Sequence, residues 1–327
     1  RQIILPGMGM QGQEKLQAAK VLVIGAGGLG CPALLQCTLM GIGTIGIADF
    51  DQVSLHNIHR QSLYDETSVG YYKVDIAQKV LEQKNSAIRC QIYSQRVEAA
   101  NIFPLIEPYD VIVDATDNFV TRYLINDACV AAGKVLVYGA IFQYEGQVAV
   151  FNHLTSGRRT THYRHLFPDP SVNVGISCSD SGVLGALTHI IGDLMASEVF
   201  KLITGIGTVT SNALLHYDML QQRLSTFTIS PSTSNINIDK TFVTSYDYAL
   251  FCRGKNILSA DEIKQKLTEK SVLLIDLRKD YEQPPLRLTH HRCDYNTLWE
   301  NIDWMNDSKT IIFVCQTGSR SRKARQE

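Results

Sequence analysis

Glycines at G-x-G-x-x-G spacing are the first residues that could do chemistry: Gly25, Gly27 and Gly30 directly follow a short apolar run. Because glycine has no Cβ, the backbone can approach a phosphate chain there, and the N-terminus of the helix predicted at 32–40 offers it unpaired N–H groups. Asp49 and Asp51 follow about 20 residues later, the spacing of an acid that accepts hydrogen bonds from ribose hydroxyls. The pattern predicts a nucleotide site, although glycine turns also allow close helix–strand packing.

A polar segment after these acids contains further candidate ligands for phosphate. Asn57, Arg60 and Gln61 lie close together in this segment, and Lys73 ends it. A loop that leaves the C-terminal end of a strand in a doubly wound sheet faces the ligand crevice. Arg60 and Lys73 are therefore candidates to neutralise phosphates, with solvated charges on a surface connection as the alternative.

Asp117 lies between the apolar run 111–114 and a helical pattern that begins at Phe119. One interpretation is a helix-capping acid, because aspartate accepts hydrogen bonds from the first N–H groups of a helix. The other is a Mg²⁺ ligand beside a triphosphate, because Mg²⁺ is held by one or two carboxylates together with substrate phosphates. The residues alone leave both interpretations open.

Two of the eight cysteines lie where a thiol could react. Cys178 lies in a Gly/Ser-rich loop directly before the helical pattern 183–202, and a helix N-terminus favours the thiolate. Cys315 follows the apolar run 310–314 and opens a C-Q-T-G-S-R-S loop, whose N–H groups can converge on its sulfur. A structural thiol is the alternative for each. No C-x-x-C pair is present, which argues against a zinc knuckle or a dithiol redox motif.

Strands and helices must alternate to position these groups, and the hydrophobic pattern predicts that they do. Buried strands are predicted at 21–24, 45–48, 89–94, 111–114 and 136–139. Helices are predicted between them, at 32–40, 74–83, 101–106 and 119–132. Strands at 146–151, 213–218 and 223–229 are expected to close the sheet, the first of them antiparallel after a turn. The predicted fold class is α/β: a Rossmann-like doubly wound sheet with a parallel first half and antiparallel closing strands.

Composition and charge limit the number of domains and the kinds of partner that the chain could have. The 327 residues carry a net charge of −1, which gives no support for a nucleic-acid or membrane partner. Apolar runs are interrupted well before about 20 residues, so no spanning helix is expected. Scattered cysteines fit reduced thiols in a cytoplasm. The polar stretch SPSTSNIN has a linker composition, so we predict domains at 1–230 and 241–327 joined by a linker at 231–240.

Ordered motifs along the first domain carry a family resemblance. They are Arg1-Gln2, G-A-G-G-L-G at 25–30, D-F-D at 49–51, N-I-H-R-Q at 57–61, Lys73, D-A-T-D-N at 114–118 and G-Q-V-A-V-F at 146–151. Together they resemble the adenylating domain of ubiquitin-activating-type enzymes. The most similar group is MoeB/ThiF/HesA, the molybdopterin-synthase and thiamine sulfur-carrier adenylyltransferases. The resemblance implies ATP and Mg²⁺ rather than NAD.

The same resemblance implies roles for individual residues. Gly27 and Gly28 would lie against the phosphates, Asp49 would hold the ribose, and Asp117 would coordinate Mg²⁺. The cofactor-binding set expected from the motifs is Gly25, Gly27, Gly28, Gly30, Asp49, Asp51, Asn57, Arg60, Gln61, Lys73, Asp117 and Asn118. The catalytic set is Arg60, Lys73, Asp117, Cys178, Cys315 and Arg1, the last reaching into the partner subunit's site. A homodimer is therefore implied.

One segment departs from the group. Many members carry two C-x-x-C pairs that hold a structural zinc, but here the first pair is replaced by His162-Tyr163-Arg164-His165 and 225–235 lacks cysteine. An isolated H-x-x-H supplies two ligands where a closed zinc site needs four. We predict no zinc.

The second domain resembles a rhodanese sulfurtransferase. I-D-L-R at 275–278 matches the D-x-R of that family, and Cys315 matches its active cysteine. Phosphatases also use cysteine loops with an arginine further along, here Arg320, but the D-L-R strand favours rhodanese. Twelve residues follow Cys315, too few for a full rhodanese domain, so we expect either an incomplete domain or a disordered end.

The two resemblances imply an adenylyltransferase and sulfurtransferase in one chain. The C-terminal Gly-Gly carboxylate of a ubiquitin-like sulfur carrier would be adenylated, then converted to a thiocarboxylate by a Cys315 persulfide loaded by a donor such as a cysteine desulfurase. The resemblance does not decide whether the carrier belongs to the molybdopterin, thiamine or tRNA-thiolation pathway, and a carrier of the molybdopterin-synthase type is favoured. Two other classes are a dinucleotide-dependent reductase, which leaves Arg60, Lys73 and Asp117 unexplained, and a non-catalytic carrier-binding protein.

Overall fold

The structure of the protein is a computed structural model. It describes residues 1–168, 182–231, 236–253, 258, 260–268, 272–279, 282, 286–288, 290–300, 310–315, 320–321 and 324. The described residues up to Tyr248 form one compact unit, and those from Ala249 onward belong to a second.

The helices and strands follow the alternation that the sequence predicts. The described α-helices are α1 (Gly9–Ala18), α2 (Gly30–Met40), α3 (Lys73–Lys84), α4 (Ile102–Ile106), α5 (Phe119–Ala131), α6 (Tyr163–Leu166), α7 (Gly185–Thr204), α8 (Lys240–Ser245), α9 (Tyr248–Arg253) and α10 (Ala260–Lys266). The strands of the first unit are β1 (Lys20–Ile24), β2 (Thr44–Ala48), β3 (Arg89–Tyr93), β4 (Val111–Asp114), β5 (Val135–Phe142), β6 (Glu145–Phe151), β7 (Leu154–Thr155), β8 (Arg158–Arg159), β9 (Ala213–Asp218) and β10 (Arg223–Thr228).

One eight-stranded sheet organises the first unit. Its strand order is β10-β9-β6-β5-β4-β1-β2-β3. Neighbours from β5 to β3 are parallel, whereas β5–β6, β6–β9 and β9–β10 are antiparallel. This confirms the predicted fold class of a parallel half closed by antiparallel strands. Because the order reverses direction beside β1, the loops after β1, β2 and β4 meet at one edge, where ligands bind in such sheets.

Glycines let helix α7 lie close against the antiparallel strands. A Cβ on Gly139 would be 2.2 Å from the Met195 Sδ atom, and one on Gly146 would be 2.2 Å from the Ile191 Cδ1 atom. Both side chains of α7 are fully buried. The same helix packs on α2, so one apolar core joins the nucleotide-type half of the sheet to its closing half.

Helix α8 packs on α5 within the first unit, and a buried ion pair joins α5 to α6. Arg164 donates from Nε and Nη2 to the Asp127 carboxylate, at 2.8 and 2.6 Å, and Tyr248 Oη donates to the same carboxylate at 3.0 Å. Val243 of α8 is fully buried. This first unit therefore extends to Tyr248, beyond the 230 residues that carry the family motifs.

The second unit is built on three parallel strands, β11 (Val272–Asp276), β12 (His291–Arg292) and β13 (Thr310–Val314), in the order β12-β11-β13. Ile275, Leu277 and Leu298 are its most buried apolar side chains. The I-D-L-R motif at 275–278 begins within β11, and the apolar run 310–314 forms β13 with the same bounds. None of the helices in the described ranges is long and apolar enough to cross a membrane.

Candidate active site

The register of the parallel strands brings three loops together. Ile24, the last residue of β1, pairs with Ala48 of β2 on one side and with Asp114 of β4 on the other. The residues that follow these strand ends are therefore neighbours. They are the glycine loop after β1, the Asp49–Asp51 acids after β2, and the segment 115–118 after β4.

The glycines of the loop differ in how much space each would leave for a side chain. Gly25 has φ +97°, and a Cβ there would lie 2.6 Å from the Ala115 carbonyl oxygen. A Cβ on Gly30 would lie 1.9 Å from the Gly25 carbonyl oxygen, and one on Gly28 would lie 3.0 Å from the Thr188 Cγ2 atom. A Cβ on Gly27 would contact Gln61 Nε2 alone among described atoms, at 3.6 Å. Gly25 and Gly30 are required by packing against backbone, Gly28 is in tight contact with the Thr188 side chain, and Gly27 borders open space.

Asp49 braces the glycine loop from the end of β2. Its two carboxylate oxygens accept hydrogen bonds from the Ala26 and Asp51 N–H groups, at 2.7 and 2.8 Å. Burial raises the pKa of the Asp49 carboxyl, and the Lys73 charge opposes this rise. Each oxygen keeps lone-pair capacity for a ligand hydroxyl, because a carboxylate offers about four acceptor sites.

Lys73 brings a positive charge to the same edge of the sheet. It is the first residue of α3, and 4% of its surface is exposed. Its Nζ donates to Asp51 Oδ2 at 2.8 Å, and its N–H donates to the Asp51 carbonyl at 3.0 Å. The half-exposed Asp51 therefore holds an ammonium whose stem is buried beside the crevice.

The segment 55–60 forms a short 3-10 helix that ends at Arg60. Arg60 Nη2 donates to Asn57 Oδ1 at 2.6 Å. Gln61, the next residue, is 3% exposed, and its Oε1 atom has no hydrogen-bond donor among the described residues. The Gln61 Nε2 atom lies 3.6 Å from the position of a Cβ on Gly27, so this amide borders the glycine loop and can donate to a ligand there.

Helix α5 is capped by Asn118 rather than by Asp117, and the Mg²⁺ role of Asp117 stays a prediction. The Asn118 Oδ1 atom accepts a hydrogen bond from the Thr121 N–H at 2.9 Å. Asp117 is exposed, and no hydrogen bond or ion pair of its carboxylate is recorded within the described part of the chain. Its carboxylate is therefore left for another partner at the crevice.

A buried ion pair beneath this segment escaped the sequence analysis. Asp114 is fully buried and Arg122 is 7% exposed. The Arg122 Nε atom lies 3.4 Å from Asp114 Oδ2, and its Nη2 donates to the Thr116 carbonyl at 2.6 Å. Burial raises the pKa of the Asp114 carboxyl, which the Arg122 charge opposes. The signal in the sequence was an arginine beside the fully apolar triplet Tyr-Leu-Ile of the same helix.

The H-x-x-H segment forms a small local structure at the start of α6. The His162 N–H donates to His165 Nδ1 at 3.0 Å, and the two rings are tilted by 37° with centroids 3.8 Å apart. Burial, then the His165 and Arg164 charges, lower the pKa of His162 to about 4. Among the described residues no group of three or more His, Cys, Asp or Glu could hold a metal ion. The absence of zinc stays a prediction.

Arg1 is not brought to this edge within its own chain. Arg1 is exposed, and its neighbour Gln2 donates to the carbonyl of Met40 at 2.8 Å, at the last residue of α2. The glycine loop lies at the opposite end of α2, about 15 Å away for ten residues of helix. Cys178 lies outside the described residues, so its predicted role stays a prediction.

Cys315 directly follows β13 in the second unit, and its thiol lies near Ser321. The Ser321 N–H and the Ser321 Oγ atom each lie 3.4 Å from the Cys315 Sγ atom. Arg320 Nη1 donates to the Leu277 carbonyl at 2.7 Å, which fastens this turn to the end of β11. The residue preceding Leu277 is Asp276, whose buried carboxylate is bound by Arg278 at 2.8 Å.

Comparisons with known proteins agree with this arrangement. A model of the ThiF family matches residues 1–238. The sulfur carrier protein adenylyltransferase of Thermus thermophilus is 43% identical over 256 residues, which cover 77% of this chain and 94% of that protein. The probable adenylyltransferase/sulfurtransferase MoeZ of Mycobacterium tuberculosis is 38% identical over 336 residues, covering 99% and 86%. The E. coli MccB crystal structure with ATP has the same fold, with a TM-score of 0.60 and 21% identity over 68% of each chain.

Proposed function

Since this chain belongs to the ThiF family, we propose that it adenylates the C-terminal Gly-Gly carboxylate of a ubiquitin-like sulfur carrier and then delivers sulfur to it. The Thermus relative is named for a sulfur carrier protein, and the Mycobacterium relative is named for both adenylyl and sulfur transfer. A molybdopterin-synthase small subunit is the favoured carrier type.

The observation that carries the proposal is the open cradle beside Gly27. The loop leaves space where a Gly27 side chain would be, and the Gln61 Nε2 atom, a hydrogen-bond donor, lies 3.6 Å from that position. Lys73 and Arg60 supply positive charge to the same edge. A polyphosphate with a ribose fits these groups, since phosphates need backbone N–H groups and cations while ribose hydroxyls donate to carboxylates. ATP is therefore the proposed nucleotide.

The first reaction brings two anions together. A carboxylate oxygen of the carrier attacks the α-phosphorus, the bond to the β-phosphate oxygen breaks, and pyrophosphate leaves from a carrier acyl-adenylate. Arg60 and Lys73 would offset the growing charge, because fixed cations at the place where charge develops lower the barrier. Asp117, with Asn118 beside it, would hold Mg²⁺, which supplies further positive charge against the phosphates.

Arg1 would act in the partner subunit of a homodimer. Within its own chain it is fastened, through Gln2, near the end of α2 that lies about 15 Å from the glycine loop. Ile4 and Leu5 beside it are 83% and 55% exposed. Exposed apolar side chains at this density favour burial against another surface, and a two-fold dimer would exchange the two arginines.

The second reaction would use the thiols. A donor such as a cysteine desulfurase would load Cys315 with a persulfide, whose terminal sulfur attacks the acyl carbon while AMP leaves. Cys178 would then attack the Cys315 sulfur of the acyl disulfide. This step releases the thiocarboxylate and leaves a Cys178–Cys315 disulfide, which an external thiol must reduce. The Ser321 N–H and hydroxyl 3.4 Å from Cys315 support a sulfur-anion site of rhodanese type.

Domain organisation and location are proposals of the same kind. We propose an ATP-binding domain whose motifs lie within 1–230, followed by a rhodanese-like domain. The stretch 241–248, which composition assigned to the second domain at 241–327 after a linker at 231–240, belongs to the first compact unit, so we place the start of the rhodanese-like domain after Tyr248. The seven described cysteines are all free thiols, which supports a reducing cytoplasm. The net charge of −1 gives no support for a nucleic-acid partner.

The experiment that tests the proposal is carrier-dependent ATP–pyrophosphate exchange. Purified candidate carriers ending in Gly-Gly are added one at a time to the full chain with ATP, Mg²⁺ and labelled pyrophosphate. Exchange with one carrier supports adenylation and identifies the pathway. Absence of exchange with every carrier, despite measurable ATP binding, would reduce the first unit to a nucleotide-binding scaffold.

A further inference from the structure

Thr116, the residue directly before Asp117, is fixed from two sides. Its N–H and hydroxyl donate to the Asp114 Oδ1 atom at 2.9 and 2.6 Å. Its carbonyl accepts a hydrogen bond from Arg122 Nη2 at 2.6 Å. Both backbone polar groups of Thr116 are therefore bound by buried side chains, so the direction of the chain into Asp117 is set by Asp114 and Arg122.

Arg122 is not arranged as a simple counter-ion of Asp114. Its Nε atom lies 3.4 Å from Asp114 Oδ2, and neither atom has a hydrogen-bond partner among the described residues. An arginine that only neutralises a carboxylate presents two parallel N–H groups to it. Arg164 does this with Asp127, from Nε and Nη2. The shortest hydrogen bond of Arg122 is instead donated to the Thr116 carbonyl.

The opposite wall of the segment is formed by the glycine loop. The Ala115 carbonyl would lie 2.6 Å from a Cβ on Gly25, and the Ala115 N–H donates to the Ile24 carbonyl at 2.9 Å. The segment 115–117 is thus held between β1 and α5. Because the exposed Asp117 carboxylate has no recorded contact within the described chain, its aim depends on the backbone of Thr116.

We infer that Arg122 is a positioning residue which, with Asp114, aims the Asp117 carboxylate at the Mg²⁺ of the bound nucleotide. This inference rests on the proposed function, which supplies the nucleotide and the metal. Groups that orient a metal ligand without touching the metal alter metal affinity by about 10- to 100-fold when they are removed. A change of Arg122 should therefore act on the Mg²⁺ dependence of nucleotide binding.

The test is calorimetric binding of a non-hydrolysable ATP analogue to the full chain, measured with EDTA and over a series of Mg²⁺ concentrations. Arg122→Lys keeps the charge but removes the planar group that reaches both partners. It should raise the half-saturating Mg²⁺ concentration about tenfold and leave Mg²⁺-free binding unchanged. Arg164→Lys is the matched control, a buried ion-pair arginine away from this segment. It should lower thermal stability without altering the Mg²⁺ dependence.

A second variant guards against failure of Arg122→Lys to fold. Thr116→Val removes only the hydroxyl bond to Asp114 and should raise the half-saturating Mg²⁺ concentration about two- to tenfold, the effect of one hydrogen bond. An unchanged Mg²⁺ dependence in the folded variants, or equal loss of binding with and without Mg²⁺, would overturn the inference. Wild-type protein that binds no analogue, or binds it without Mg²⁺ dependence, would contradict the proposed function instead.

Discussion

The substitution Gly27→Ala separates a glycine required by a ligand from glycines required by packing. A Cβ at this position meets one described atom, Gln61 Nε2, at 3.6 Å, which is ordinary van der Waals contact. Gly27 is not among the residues with positive φ, so alanine adopts the same backbone. Folding should be unharmed, and reduced freedom of the unfolded chain should stabilise the variant by about 0.4–1 kcal/mol.

Nucleotide binding should fall even though the fold is kept. The added methyl group occupies the cradle and prevents a phosphate oxygen from reaching the backbone N–H groups of the loop. Loss of one hydrogen bond to a charged group costs about 1.5–3 kcal/mol, which weakens the Kd about 10- to 150-fold. Calorimetric titration with a non-hydrolysable ATP analogue measures this change, and thermal unfolding without nucleotide measures the stability.

Gly25→Ala is the matched contrast within the same loop. Its φ of +97° and the Ala115 carbonyl 2.6 Å from the new Cβ leave no room for a side chain. This variant should lower the unfolding midpoint, whereas Gly27→Ala should not. A Gly27→Ala protein with wild-type Kd and wild-type stability would refute the assignment of the cradle to phosphate.

Other predictions concern the partner subunit, the thiols and pH. Arg1→Ala and Lys73→Ala should each lose ATP–pyrophosphate exchange. An equimolar mixture of the two variants should recover about a quarter of the wild-type rate, because half of the dimers are mixed and each mixed dimer has one complete site out of two. No recovery in the mixture would exclude the action of Arg1 in the partner subunit's site. Cys178→Ala and Cys315→Ala should retain exchange but form no thiocarboxylate, measured by the intact mass of the carrier; loss of exchange would contradict separate steps. Burial lowers the pKa of His162 from 6.5 to about 4, so the unfolded chain binds more protons in this range and the free energy of unfolding should decrease as pH falls from 6.5 to 4. His162→Gln should flatten that decrease in urea titrations, and an unchanged slope would contradict the assignment.

The parallel half of the sheet could be predicted from the sequence because its signals are local. Short apolar runs alternate with helical periodicity, and the runs 21–24 and 45–48 are followed directly by Gly25 and Asp49. The predicted strand at 111–114 has the observed bounds, and that at 45–48 differs by one residue at its start. β5 extends to Phe142, beyond the predicted 139, because its last residues gain partners in β6. Partners across a sheet are not visible in a local pattern.

The interpretation of Asp117 shows where local reasoning stopped. Both a helix cap and a metal ligand are acidic residues before a helix, so composition and spacing could not separate them. The structure gives the cap to Asn118, one residue later, because the Asn118 Oδ1 atom reaches the Thr121 N–H. A shift of one residue therefore leaves the exposed Asp117 carboxylate outside the helix cap, and only the structure shows at which residue the cap lies.

The sequence by itself determined the order of elements, the family and the residue types at the edge of the sheet, since these follow from periodicity and from short ordered motifs. The tertiary structure alone decided which glycine borders open space, that Gln61 presents a buried acceptor without a described partner, and that Arg122 holds Thr116. Arg122 and Thr116 are six residues apart, yet their contact requires α5 to be fixed against β4 by the core. Such contacts arise from packing between elements, and no single stretch of sequence encodes them.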